Sequence, residues 1–111
     1  MALTSTYPYE YQQRRPAEVK IINGRAIRFR DVCVYEICMG DVEDPDLMVA
    51  QPIWEWQGSD EGRFIMENAV EKPYWTRSID PHTYGHLYRI VARLSEQNEV
   101  FWRLKYVATK N

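Results

Sequence analysis

Apolar and polar positions alternate with a period of two over much of the chain, which is the pattern of half-buried β-strands. The first such stretch, VKIINGRAIRF at 19–29, is apolar on both sides of Asn23-Gly24, a pair that favours a hairpin turn. A two-residue turn would place Lys20 on the apolar face. Because the register of a hairpin follows its buried face, we predict a three-residue loop with Gly24 at positive φ. That loop places four apolar side chains on one face: Val19, Ile21, Ile27 and Phe29.

The strand that follows, DVCVYEICMG at 31–40, alternates in the same way and is expected to end at Gly40. Uninterrupted alternation places one set of side chains on a common face: Cys33, Tyr35, Ile37 and Met39. Cys33 and Cys38 then fall on opposite faces of the strand and cannot form a disulfide with each other. We therefore predict a hairpin near 18–39 that carries free thiols.

A second hairpin is predicted near 86–107. If Leu94 pairs with Val100, one face of this segment is wholly apolar: Tyr88, Ile90, Ala92, Leu94, Val100, Trp102, Leu104 and Tyr106. The other face would carry a basic set with one aromatic ring: Arg89, Arg93, Phe101, Arg103 and Lys105. Arg89 would lie opposite Lys105, and like charges that face each other across strands are unfavourable. We therefore expect this face to be covered by the chain's own acidic middle segment, by the acidic segment of a neighbouring subunit or by nucleic-acid phosphates.

A helix start signal stands between the two hairpins, in DVEDPD. Asp44 is a suitable N-cap, Pro45 suits the first helical position, and Asp46 suits the positive end of the helix dipole. Because a proline disfavours the helical conformation of the residue before it, Pro52 limits the length of this helix. The sequence therefore predicts one short helix near 45–51.

Residues 53–70 fit two interpretations. As a hairpin with a loop at 58–62, the segment would place four large side chains on one side: Trp54, Trp56, Phe64 and Met66. As a helix, EGRFIMENAVEK would end before Pro73. A short apolar run fits the period of a helix as well as that of a strand, so both interpretations stay open.

The first 16 residues are polar and rich in tyrosine, without an apolar period. In an extended chain three tyrosines share one face, Tyr7, Tyr9 and Tyr11, and two arginines follow them, Arg14 and Arg15. Tyrosine combines a large contact area with little rotamer entropy and a polar tip, which suits a binding surface. We predict an extended arm over 1–16 that either pairs with the chain's own sheet as an edge strand or docks on a partner.

These segments together predict a single α+β domain dominated by antiparallel sheet, with the arm at 1–16 and the domain at 17–108. A chain of 111 residues is long enough for one packed domain. An apolar share of 45% excludes a wholly disordered chain. The sequence contains neither a signal-peptide core nor an apolar run that could span a membrane, so the cytoplasm of a cell or host cell is the expected location.

Charge is segregated along the sequence more strongly than the net charge of −2 suggests. Residues 1–30 carry six basic and two acidic groups, a net charge of +4. Residues 31–71 carry one basic and eleven acidic groups (−10), and residues 72–111 carry seven basic and three acidic groups (+4). These blocks either neutralise one another within the domain or make a bipolar molecule that steers partners and associates head to tail.

The sequence carries no motif typical of a catalytic or metal site. His82 and His86 have the spacing of helix-borne zinc ligands, but Pro81 and Gly85 disfavour a helix there. The carboxylates of DVEDPD lack the glycine turn and the distal glutamate of a calcium loop. We therefore predict no enzymatic activity, no cofactor and no metal site.

The arm and the charge pattern predict a non-enzymatic protein–protein interaction or assembly protein whose partner is another protein or a second copy, and not a membrane. The predicted partner-binding residues belong to the arm and to the acidic segment: Tyr7, Tyr9, Tyr11, Arg14, Arg15, Asp41, Glu43, Asp44 and Asp46. Small charge-segregated chains with an arm are typical of viral and bacteriophage proteins, so a place in a virion is one expectation.

Two alternative functions stay open. The first is nucleic-acid binding by the basic hairpin face that carries Phe101, helped by Arg14 and Arg15, because aromatic and basic sheet surfaces stack bases. The second is an acidic decoy, in which residues 41–61 occupy a basic groove of a host protein.

Overall fold

The structure is a computed structural model that describes residues 4–5, 16–40, 42–82 and 84–108. In these ranges five strands form one sheet: β1 (Thr4–Ser5), β2 (Glu18–Ile22), β3 (Arg25–Gly40), β4 (Tyr74–Ile79) and β5 (His86–Ser95). The helices are α1 (Pro45–Gly58), α2 (Asp60–Asn68) and α3 (Glu96–Trp102), which continues into a π-helical turn (Arg103–Val107). The strand order is β1-β4-β5-β3-β2, and neighbours are antiparallel except β1, which is parallel to β4. The predicted α+β class with a dominant antiparallel sheet is confirmed.

The core lies between one face of the sheet and the helices. At alternate positions β5 supplies four side chains that are at most 1% exposed: Tyr88, Ile90, Ala92 and Leu94. The helices contribute their own buried side chains: Val49, Ile53 and Trp56 from α1, Ile65 from α2 and Trp102 from α3. Burial of this apolar area is the main force that holds the helices against the sheet. The apolar face predicted for the first half of the second hairpin is therefore confirmed.

A β-bulge in β3 changes which side chains share a face. The pairing of β3 with β5 shifts between Cys33 and Tyr35, so Val34 is the extra residue. Beyond the bulge, Tyr35 and Ile37 pair with Ile90 and Tyr88 and therefore join the helix-covered face. The predicted common face for Cys33 and Tyr35 is wrong for this reason.

The same bulge places Cys33 and Cys38 on one face of the sheet, the face away from the helices, whereas opposite faces were predicted. Cys33 pairs with Val91 and Cys38 with Leu87. Four positions along β5 correspond to about 14 Å, too far for a disulfide. Both cysteines are free thiols, as predicted.

The β2–β3 hairpin has a two-residue turn, and the predicted three-residue loop is wrong. Asn23 and Gly24 have φ angles of 51° and 76°, as a type I′ turn requires, and Lys20 pairs with Ile27. The prediction assumed that one face of the hairpin is buried. Val19 and Ile21 are 61% and 72% exposed, so no buried face is present here to select the register.

Helix α1 continues past its predicted end through Pro52 to Gly58. A proline inside a helix leaves the carbonyl four residues earlier without its donor. That carbonyl belongs to Met48, which is half exposed, so water can hydrate it. Burial of Val49 and Ile53 on both sides of Pro52 favours a continuous helix.

Residues 53–70, for which two interpretations were open, are largely helical. Ser59 separates α1 from α2 and caps α2, because its Oγ accepts a hydrogen bond of 3.1 Å from the Gly62 N–H. The side-chain hydroxyl of Ser59 also donates to the Trp56 carbonyl at 2.6 Å. The chain therefore turns sharply at one serine between two helices.

The second half of the predicted 86–107 hairpin is wrong, because the chain becomes helical at Glu96. Ser95 caps α3 by accepting from the Asn98 N–H at 3.2 Å. The buried Trp102 indole donates to Glu61 Oε2 at 2.8 Å, which joins α3 to α2. Because Trp102 and Tyr106 are four residues apart, the apolar positions fit a helical period as well as a strand period.

Three residues of the predicted arm are described, and two of them pair with the chain's own sheet. Thr4 and Ser5 lie opposite Tyr74 and Trp75 of β4, as an edge strand. In the described parts of the chain, the helices are too short or too polar to cross a membrane.

Candidate protein-binding groove

Strand β3 extends beyond the end of β5, which leaves part of one edge without a neighbouring strand. Phe29 pairs with Ser95, where β5 ends, so residues 25–28 of β3 pair only with β2. In a two-residue hairpin the residues that flank the turn exchange backbone hydrogen bonds. Ala26 and Arg28 therefore direct their N–H and C=O groups away from β2. Within the described ranges these backbone groups have no strand beside them, and we call Ala26 and Arg28 the vacant edge of β3.

A groove of about 700 Å³ lies between the vacant edge and the start of α3. Residues of β3 and of the β5–α3 junction line it: Arg25, Ala26, Ile27, Arg28, Phe29, Ser95, Glu96, Gln97 and Val100. The Ser95 cap turns the chain away from the line of β5 and so opens this groove.

Apolar side chains flank the groove without being buried. Val19 and Ile21 lie directly opposite Arg28 and Ala26 across the hairpin, so they share a face with them. Val100 of α3 is 51% exposed on the other side of the groove. Apolar surface on both sides of an unpaired strand edge is typical of a binding site.

The groove carries a positive excess. Arg25 and Arg28 form no ion pair with any described residue, whereas Glu96 is the carboxylate exposed in the groove. Two guanidinium groups without an ion-pair partner among the described residues therefore lie beside one carboxylate, which favours an acidic ligand.

The wall formed by α3 is fixed by a charged cluster at its far end. Arg30 Nε donates to Glu99 Oε1 at 2.6 Å, a second Arg30 nitrogen donates to Glu99 Oε2, and Arg103 Nε donates to Glu99 Oε2 at 3.0 Å. Glu99 is buried, and the hydrogen bonds from Arg30 lower the pKa of its carboxyl below the usual value of 4.5. The same pair raises the pKa of Arg30. Glu99 thus stays ionised and joins α3 to β3.

We expect the Glu99→Gln variant to lose about 2 kcal/mol of folding stability at pH 7, because charged hydrogen bonds of the buried carboxylate are lost. The pKa of Glu99 is lower in the folded than in the unfolded chain, so its contribution is complete above pH 4.5 and decreases as the pH falls through the folded pKa. Urea unfolding between pH 7 and pH 3 would measure both effects. The exposed neighbour Glu96→Gln is the control, and an equal acid dependence in wild type and Glu99→Gln would contradict the assignment.

The acidic residues predicted to bind a partner lie at the other end of β3. Glu43 and Asp44 are exposed just before α1, and neither makes an ion pair with a described residue. Asp46 is held within the molecule, because its carboxylate accepts from Arg77 at 2.6 Å and from the Tyr88 hydroxyl. Other predicted partner residues lie outside the described ranges: Tyr7, Tyr9, Tyr11, Arg14, Arg15 and Asp41.

The basic residues predicted for nucleic-acid binding do not share one surface. Arg89 and Arg93 lie on the sheet face away from the helices, where they pair across strands with Glu36 at 3.0 Å and Asp31 at 2.9 Å. The other three lie on or after α3, on the helix-covered side: Phe101, Arg103 and Lys105. Arg89 therefore faces Glu36 and not Lys105, so cross-strand carboxylates already neutralise the β5 arginines.

Ion pairs between the blocks neutralise part of the segregated charge, and two groups of charges that make no ion pair with a described residue lie at opposite ends of β3. Arg25 and Arg28 are at the start of this 16-residue strand, and Glu43 and Asp44 follow its end. A strand of this length spans about 50 Å. The described molecule therefore presents unpaired charges of opposite sign far apart.

Arg25, Arg28 and Val100 were missed as site residues by the sequence prediction. The Asn23-Gly24 turn, with strand residues on both sides, already places Arg25 and Arg28 beside a hairpin tip. The missing information was the end of β5 at Ser95, and the serine cap motif at 95–98 is the signal that could have supplied it.

A second polar cluster, of Asp46, Arg77 and Tyr88, is structural. Burial and the hydrogen bond to Asp46 raise the pKa of Tyr88 to about 12. The cluster joins the start of α1 to β4 and β5. Among the described residues, no group of three or more potential metal ligands comes together.

Comparison with known proteins gives no relative: no family model, curated protein or solved structure matches this chain. The geometry of its own residues is the basis for the function proposed below.

Proposed function

We propose that this protein is a non-enzymatic protein–protein interaction protein and that its partner binds at the groove beside the vacant edge of β3. The observation that carries the proposal is that the outward backbone groups of Ala26 and Arg28 pair with no strand in the described parts of the chain and lie next to exposed apolar side chains. An edge of this kind is a template for pairing with another chain unless it is covered.

The shifted pKa values of Glu99 and Tyr88 reflect contacts that join elements of the fold. Glu99 is held ionised by two arginines, and Tyr88 is held protonated. A general acid or base works best when its pKa lies near the operating pH. Neither group meets this condition near neutral pH.

Site-specific photo-crosslinking in the cells that produce the protein would test the proposal. We expect a photoreactive benzoylphenylalanine at Ile21 to give discrete protein adducts, because Ile21 is 72% exposed beside the groove. The matched control is Ile79, which is 59% exposed at the end of β4 away from the groove.

Adducts at Ile21 and not at Ile79 would support the proposal, and an adduct of twice the chain mass would assign the partner as a second copy. Identical patterns at both positions, or adducts at Ile21 that nuclease removes, would contradict it.

A further inference from the structure

The vacant edge of β3 has the chemistry to accept one particular kind of partner segment. We propose that an extended acidic peptide of a partner protein adds to the sheet as a strand along Ala26 and Arg28, in line with β5. This inference rests on the proposed function and adds the conformation and the charge of the bound segment.

Backbone pairing provides the first part of the argument. Ala26 and Arg28 each offer one N–H and one C=O to the groove, so an added strand can form up to about four hydrogen bonds there. The position that the added strand would occupy is the continuation of β5, which ends at Ser95. A segment of about five residues is long enough to pair along 25–29.

Side-chain chemistry provides the second part. Successive residues of an added strand point to opposite faces of the sheet. On the helix side they would meet Val100 and Arg28, and on the other side Arg25 and Ile27. A segment that alternates β-branched apolar residues with carboxylates matches both the apolar contacts and the two arginines.

Charge disfavours two other occupants. If the vacant edges of two copies paired antiparallel, Ala26 would lie opposite Arg28 of the second copy, and the two Arg28 side chains would be diagonal neighbours on one face, which is unfavourable for like charges. The segment of this chain before Pro16 carries Arg14, Arg15 and a single carboxylate, Glu10, between positions 6 and 15, so its charge does not match the groove. An acidic segment of another protein has no such conflict.

Fluorescence anisotropy with labelled synthetic peptides tests the inference on the full chain. The probe is a short peptide that alternates valine and glutamate, and we expect it to bind at least about tenfold more tightly than the valine–lysine peptide. Reversal of charge by Arg28→Glu should weaken binding of the valine–glutamate peptide at least about tenfold and strengthen binding of the valine–lysine peptide. Glu96→Gln, which removes the carboxylate in the groove, should strengthen binding of the valine–glutamate peptide.

Two further probes separate strand addition from simple anion binding. Methylation of alternate backbone nitrogens of the acidic peptide removes its strand hydrogen bonds but keeps its charge, and we expect binding to fall at least about tenfold. Single-stranded oligothymidine supplies negative charge without any peptide backbone, and we expect it to bind more weakly than the acidic peptide.

The possible failures are distinguishable. Equal binding of the methylated and unmethylated peptides, or tighter binding of oligothymidine, would overturn strand addition. If no peptide binds while Ile21 still crosslinks to protein, the acidic-strand inference is overturned and the proposed function stands. Loss of both peptide binding and crosslinking would overturn both.

Discussion

Replacement of Gly62 by alanine is expected to destabilise the folded protein by about 3 kcal/mol or more, a large effect of overpacking. A Cβ atom at this position would lie 1.7 Å from the carbonyl oxygen of Trp56 and 2.9 Å from Cα of Gln57. Both atoms belong to the backbone, so no side-chain rotation can relieve the clash. The turn at Ser59, which brings α2 back against the end of α1, would have to open.

Gly58→Ala is the matched control for this prediction. Gly58 is the last residue of α1, and a Cβ there would have no neighbour within 4 Å. Since alanine favours helix over glycine, we expect Gly58→Ala to be neutral or to stabilise the fold by up to about 1 kcal/mol. Urea unfolding of both variants gives the comparison, and a Gly62→Ala variant as stable as wild type would contradict the close approach of Gly62 to the Trp56 carbonyl.

Asp31→Asn is expected to cost about 3 kcal/mol at pH 7, because it leaves the Arg93 guanidinium buried with less compensating charge. Asp31 and Arg93 are 4% and 5% exposed, and their side-chain atoms are 2.9 Å apart. Among the described residues, the Arg93 guanidinium keeps the half-exposed Glu18 carboxylate at 3.3 Å and the Pro16 carbonyl at 3.1 Å. These remaining contacts are too few to replace the lost charge of Asp31.

Glu36→Gln is the control, because Glu36 and Arg89 also pair across β3 and β5, but in solvent. Their side chains are 51% and 45% exposed, and an exposed ion pair of this kind contributes less than about 1 kcal/mol. Both ion pairs join β3 to β5, and both consist of a carboxylate and a guanidinium group. The difference in lost stability between the two variants therefore measures the effect of burial. Equal losses of stability in urea unfolding would contradict the burial of the Asp31–Arg93 pair.

The fold class and the two long strands could be predicted from the sequence because their periodicity is strong. The alternation from Tyr88 to Leu94 corresponds to a face that is almost fully buried, and β3 ends at Gly40 as expected. In both cases the local pattern and the tertiary environment favour the same structure.

Errors arose where a local pattern fits two structures and a distant contact decides between them. The chain after Ser95 could pair as a strand or coil as a helix, and the buried hydrogen bond from Trp102 to Glu61 favours the helix. The bulge at Val34 leaves no simple mark on the alternation, so the faces of Cys33 and Cys38 could not be assigned from it.

The candidate site was only partly predictable for the same reason. To predict the site, charged residues that form ion pairs within the fold had to be distinguished from those that do not. That distinction depends on which strands are neighbours in the sheet. Arg93 and Arg25 are equally basic in the sequence, yet Arg93 is buried against Asp31 and Arg25 lines the groove. Only the strand order distinguishes a structural arginine from one that is available to a partner.

A proline at position 26 tests the central claim, that the vacant edge binds a strand, most directly. The Ala26 N–H points into the groove and away from β2, so proline removes a donor for the partner without breaking the hairpin. Ala26→Val keeps the N–H and is the matched control. We predict that binding of the valine–glutamate peptide falls at least about tenfold in Ala26→Pro, with the circular dichroism unchanged, and that it persists in Ala26→Val. Undiminished binding by a folded Ala26→Pro variant would contradict the account.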